Sequence, residues 1–137
     1  MNKAQVSSIV AVLAAVACSD SFQPTVDNVV GSYTARMFTT TDSIGTTDLV
    51  KAGAVFYVTL GPRGETDGYV YIPAIGSDPE VVEDIHGTWT MSGGIILIEQ
   101  TGGTFVERMG FFPERGALFA AKSTPGAARI SALLAKF

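Results

Sequence analysis

Between Val29 and the C-terminus, apolar and polar residues change over in short runs, most with the period of two that sets alternate side chains on opposite faces of a β-strand. Val29 to Phe38 opens the series, with Val29, Gly31, Tyr33, Ala35 and Met37 on one side and Ser32, Thr34 and Arg36 on the other. Ala54 to Leu60 and Asp67 to Pro73 flank Gly61-Pro62-Arg63-Gly64, a sequence suited to a tight reversal, and predict a hairpin. Ile85 to Ser92 and Ile95 to Thr101 flank Gly93-Gly94, whose freedom at positive φ suits a two-residue hairpin turn. Thr104 to Phe112 is expected to pair with Ala117 to Ser123 through Pro113-Glu114-Arg115-Gly116. Thr124-Pro125-Gly126 then leads into a last strand over Ala128 to Phe137, with a terminal helix over 127–135 as the alternative. After the first strand, Thr39 to Gly45 reads as loop, and Thr46 is placed to cap a short helix through Ala52 that stops at Gly53.

Eight strands with short connections make antiparallel neighbours, and eight is the number at which an up-and-down sheet closes into a small barrel without edges. The expected fold is therefore an all-β, eight-stranded antiparallel barrel, although two stacked sheets would share most of the pattern. Composition agrees with this picture. The 15 glycines and 6 prolines are spread along the chain as turns would be, and 47% hydrophobic against 16% charged residues excludes a disordered polyelectrolyte. At 137 residues there is room for one domain.

The N-terminus has a different character. Met1-Asn2-Lys3 gives a positive start, and Ala4 to Ala17 is an uncharged apolar stretch, the layout of a helical secretory signal peptide. The stretch falls short of the ~20 residues that a transmembrane helix needs. Ala15-Val16-Ala17-Cys18 resembles the lipobox of bacterial lipoproteins, with Ala15 where Leu is usual. The resemblance implies cleavage before Cys18, acylation of that cysteine, and attachment to a membrane of the cell envelope. Ser19 is similar to the residue of the outer-membrane-sorted type, where the host has an outer membrane. Cleavage without acylation, leaving a secreted or periplasmic domain, is the alternative, because Ala15 and Ala17 also satisfy the small-x-small rule. Residues 1–17 are thus read as leader, 18–28 as a flexible tether containing Pro24, and 29–137 as the barrel domain.

Gly31-Ser32-Tyr33 in the first strand resembles the Gly-x-Trp motif that opens the lipocalin-like, or calycin, barrels, with Tyr in place of Trp. That resemblance implies an arginine of the last strand over the aromatic ring, and Arg129 is the residue placed to match. It also implies an interior that accepts a small apolar ligand. Gly87-Thr88-Trp89-Thr90 echoes the opening motif, by internal repetition or by what strand starts prefer.

Candidate chemistry changes this picture little. The net charge of −4 and the lack of clustered Lys and Arg exclude nucleic acid as an expected partner. One cysteine excludes an intramolecular disulfide and a multi-cysteine metal site. His86 lies beside Asp78, Glu80, Glu83 and Asp84, but their spacing fits no zinc motif or calcium loop and reads as a solvated loop. No nucleophile elbow or phosphate-cradling loop is present, so neither an enzyme nor a cofactor is expected. Ile95 to Ile98 is apolar on both faces, so either an element of the same chain covers its outer side or that side meets a partner or the membrane. Glu107 and Arg108 point to opposite faces of one expected strand, so either one faces inward to meet a ligand's charge or both lie in solvent. The candidate ligand-binding set is Tyr33, Phe56, Tyr69, Trp89, Phe105, Arg108 and Phe111, with Cys18 as the lipid attachment site. The competing expectation is an envelope structural or protein-interaction module whose barrel is filled and binds no ligand.

Overall fold

In the computed structural model, residues 22–123 and 128–137 are described; the leader, Cys18 and the 124–127 connection lie outside the described residues. A single turn of helix, α1 (Val26–Val29), precedes nine strands: β1 (Gly31–Thr41), β2 (Thr46–Asp48), β3 (Val55–Leu60), β4 (Glu65–Ile72), β5 (Val81–Ser92), β6 (Ile95–Gln100), β7 (Gly110–Glu114), β8 (Ala117–Ser123) and β9 (Arg129–Lys136). Every pairing is antiparallel, and β1 pairs with both β3 and β9, so eight strands close on themselves while β2 adds a short flap to β1. Closure excludes the two-sheet alternative. The last segment forms a strand, since each residue from Arg129 to Ala135 meets a partner on β8 and the buried Ala132 and Leu134 alternate with less buried neighbours.

Alternation of burial follows the sequence pattern except on β1, where a bulge between Ala35 and Met37 turns Phe38 inward and leaves Met37 exposed, against the expected shared face of Tyr33 and Met37. On β3, Phe56, Val58 and Leu60 are buried while Val55 and Tyr57 are exposed, and Val70 of β4, Ile85 of β5 and Ile96 of β6 continue the inner lining. Transferring these side chains from water is the main stabilising term for the closed sheet.

Three expectations are corrected. Thr46 does not cap a helix; Thr46 and Thr47 pair with Thr41 and Thr40, as β-branched residues favour. The single turn that follows is held by Asp48, whose carboxylate accepts from Lys51 N at 3.1 Å, and it delivers Leu49 into the core. The strand expected from Thr104 begins only at Gly110. Phe105 and Val106 are consecutive and both buried, which a strand with one face in solvent does not allow, and Glu107 N to Thr104 O and Met109 N to Val106 O, both 3.1 Å, curl the segment into turns. The reversal between β7 and β8 is Arg115-Gly116, and Pro113 lies within β7 opposite Leu118.

The barrel has a hairpin end, formed by the β3–β4, β5–β6 and β7–β8 turns, and a loop end. At the hairpin end, the last part of the segment read as tether is built into the floor. Thr25 and Asn28 make a reciprocal capping box on α1, and Val29 is buried. Tyr33 Oη donates to Val29 O at 2.6 Å. The cation near the Tyr33 ring is Lys136 of β9, with Nζ 5.9 Å from the ring centroid, rather than Arg129, which pairs with Thr41 and Ser123 at the opposite end of the strand.

Burial raises the Tyr33 phenol above the ordinary tyrosine value of 10.0. A raised folded value favours the neutral form, so this contribution is complete below pH 10 and lost as pH climbs through the folded value. Tyr33→Phe is expected to cost about 1 kcal/mol near neutrality, by orphaning Val29 O, and to show a shallower loss of stability above pH ~10. Urea melts at neutral and alkaline pH check both effects, and unchanged alkaline behaviour in the variant would contradict the assignment.

Candidate functional site: a filled barrel and its outer face

The inward side chains meet in the middle. Phe56 stands at the centre of an aromatic cluster, 5.4 Å from Phe38, 5.5 Å from Phe105 and 6.5 Å from Phe111 between ring centroids. The Phe38–Phe105 and Phe56–Phe105 pairs are edge-to-face, the arrangement favoured by the ring quadrupoles. These four rings are at most 7% exposed, and Leu118, Ala120, Ala132 and Leu134 of β8 and β9 pack on the same core.

Both ends of this core are stopped. At the hairpin end Trp89 Nε1 donates to Gly61 O at 2.8 Å, so Tyr33 and Trp89, the aromatic members of the two echoing motifs, each anchor a polar atom to a floor carbonyl. At the loop end the 104–109 turns carry Phe105, Val106 and Met109 inward. Glu83 Oε1 accepts from Gln100 Nε2 at 2.5 Å and from Phe105 N at 2.9 Å, and Gln100 Oε1 accepts from Val106 N at 3.3 Å. Lys122 Nζ donates to Phe105 O and lies 4.5 Å from the Phe105 ring centroid. Burial lowers the Lys122 ammonium below its ordinary value, against the pull of Glu83 and Glu107.

Glu83 thus fastens the plug from the wall. Glu83→Ala is expected to cost about 1–3 kcal/mol and to speed amide exchange across 104–109, with Glu83→Gln restoring part of the protection through its amide oxygen. Hydrogen exchange of the two variants checks this, and unchanged protection in the alanine variant would contradict it.

The candidate ligand set is divided by this geometry. Tyr33, Phe56, Trp89, Phe105 and Phe111 are core residues that fill the interior. Tyr69 is half-buried on the outside, its ring 6.2 Å from that of Tyr57. Arg108 is exposed at φ 60, and Glu107 is exposed beside it, so neither charge enters the barrel. His86 Nδ1 lies 2.7 Å from Asp67 Oδ1 across the exposed face of β4 and β5. Glu83 is turned to the plug while Asp84 faces out, which separates the acidic cluster. Among the described residues no group of three or more His, Cys, Asp or Glu could hold a metal ion. Cys18 lies outside the described residues.

Outside, β6 alternates after all: Ile96 and Ile98 are buried, Ile95 is half-buried and Leu97 is exposed. An apolar face that the sequence pattern did not single out runs across β3, β4 and β5. Val55 pairs with Tyr71 and Tyr71 with Val82, next to the Tyr57–Tyr69 pair. Val55, Tyr57 and Val82 are 44%, 40% and 58% exposed. The signal was available, because these are the alternate positions of VFYV and YVY that the hairpin must turn outward.

A second feature lies on β7, β8 and the start of β9. Phe112 and Phe119 face outward with centroids 6.4 Å apart and form the floor of an open groove of about 540 Å³, rimmed by Arg108, Lys122 and Arg129. Asp67, Asp84 and His86 on the outer wall, over an apolar interior, reverse the arrangement of a lipid-facing barrel.

No family model matches the chain, and neither does any curated protein or solved structure.

Proposed function

We propose that the chain is an exported envelope protein, anchored by lipid on Cys18, whose barrel is a solid platform for protein interaction through its outer surface. The observation that carries this reading is the aromatic cluster around Phe56, which occupies the space a ligand would need, between a floor and a plug each tied by hydrogen bonds. It favours the filled-barrel expectation over the apolar-ligand one. The lipocalin-like resemblance is supported by the up-and-down order, by Tyr33 two residues after Gly31, and by a last-strand cation at its ring, here Lys136. This reading is non-catalytic.

The face of Val55, Tyr57, Tyr69, Tyr71 and Val82 is the docking surface in this reading. It is aromatic-rich, as interface centres are, and Tyr carries a large contact area at low conformational cost. The test combines address and surface in living bacteria. Radiolabelled palmitate is expected on the wild-type chain in the membrane fraction, while Cys18→Ser is unlabelled and soluble; a soluble, unlabelled wild type would overturn the anchor. A photo-crosslinking residue at Tyr57 is expected to give a discrete adduct, lost with Tyr69→Glu, whereas the same residue at Glu114 gives none. Equal adducts from both positions, or none, would overturn the surface assignment.

A further inference from the structure

We infer that the groove on the outer face of β7, β8 and β9 is a binding site for a single-chain amphipathic anion, a hydrocarbon body bearing one carboxylate. The two halves of such a ligand match two halves of the groove. Its floor is made by the outward rings of Phe112, 42% exposed, and Phe119, which pair directly across the strands, and Leu133 extends that apolar row onto β9 opposite Phe119. Its rim carries Arg108, Lys122 and Arg129, and no carboxylate lines it. That segregation stands out in a chain with 13 acidic and 9 basic residues.

Two of the three cations are not already spent. Lys122 is committed to Phe105 O, but the side chains of Arg108 and Arg129 make no hydrogen bond or ion pair among the described residues. Arg108 sits in the left-handed region at φ 60, where non-glycine residues are uncommon. Guanidinium groups receive carboxylates bidentately, and the aromatic floor removes hydrocarbon from water. A volume of about 540 Å³ lies within the range of small-molecule sites. This inference stands whether or not Cys18 is acylated, and it places the ligand outside the barrel rather than within it.

The experiment titrates the full chain, carrying Cys18→Ser so that no acyl chain of its own competes, with decanoate, decyltrimethylammonium and inorganic phosphate, while amide NMR shifts are followed. Decanoate is expected to move the Ala121 and Ser123 amides saturably and to leave Val58 and Val70 in the interior wall unmoved. Arg108→Asn, which tolerates the left-handed backbone, and Arg129→Gln are each expected to weaken binding about tenfold. Phe112→Ser, which leaves both arginines in place, is expected to weaken it as well. Equal binding of decyltrimethylammonium would show a plain apolar patch, and equal shifts with phosphate a plain anion site; either overturns the proposal. Shifts at Val58 and Val70 would overturn it too, and would separately contradict the filled interior.

Discussion

Replacing Phe56 by alanine is expected to lower the stability of the barrel by about 3–5 kcal/mol, the usual cost of removing a buried phenylalanine ring. The ring is 1% exposed and touches Phe38, Phe105 and Phe111, so no single neighbour can collapse into the space without leaving its own contacts. Each aromatic pair adds ~0.5–1.5 kcal/mol beyond the area buried, which places the loss toward the upper part of that range. A domain of this size has about 5–15 kcal/mol in total, so the substitution removes a large share of it. Urea midpoints at 25 °C measure the change. A loss below about 1 kcal/mol would mean that the rings do not fill a common core.

Gly87→Ala is the second large effect, and it is steric. A Cβ at Gly87 would run into the backbone carbonyl oxygen of Glu99 on β6 and crowd the Cα of Gln100, neither of which is a flexible chain end. Room has to come from parting β5 and β6 next to Gln100, whose side chain holds the plug at Glu83 and Val106 N. Overpacking of this kind costs about 1–3 kcal/mol, and amide protection is expected to fall at 104–109 as well as along β6. The outward neighbour Thr88 serves as the control, with Thr88→Ala within about 0.5 kcal/mol. Equal effects of the two substitutions would show that the sheet flexes around Gly87 at no cost.

The strands were legible wherever alternation and a turn sequence coincided. Gly61-Pro62-Arg63-Gly64 and Gly93-Gly94 mark their hairpins within a residue or two, and the strand count gives the barrel. Pattern failed where tertiary contacts decide conformation. Phe105 and Val106 read as strand because both are apolar, yet they turn inward together, their N–H groups donating to Glu83, 22 residues away in sequence, and to Gln100. Thr46 offered a cap for a helix, but its β-branched side chain found a ladder partner in Thr41 instead. Arg129 was the residue placed to match the lipocalin-like resemblance, whereas register puts Lys136 beside Tyr33, a distinction no single sequence carries.

The candidate site was legible in its residues and not in their roles. Phe56, Trp89, Phe105 and Phe111 were visible as aromatics on strands, but whether they line a cavity or fill it depends on side-chain volume across the closed sheet. Tyr69 shows the same limit from the other side: its face is set by the parity of β4, and that parity pairs it with Tyr57 in solvent.

The measurement that tests the filled interior most directly is amide NMR of the full chain under xenon, a neutral atom that enters preformed apolar cavities. No saturable shift is expected at Val58, Val70 or Leu118 in the wild-type chain, and saturable shifts are expected at these positions in Phe56→Ala. Saturable xenon shifts at the same amides in the wild type would reveal an open cavity among the rings and would contradict the solid barrel.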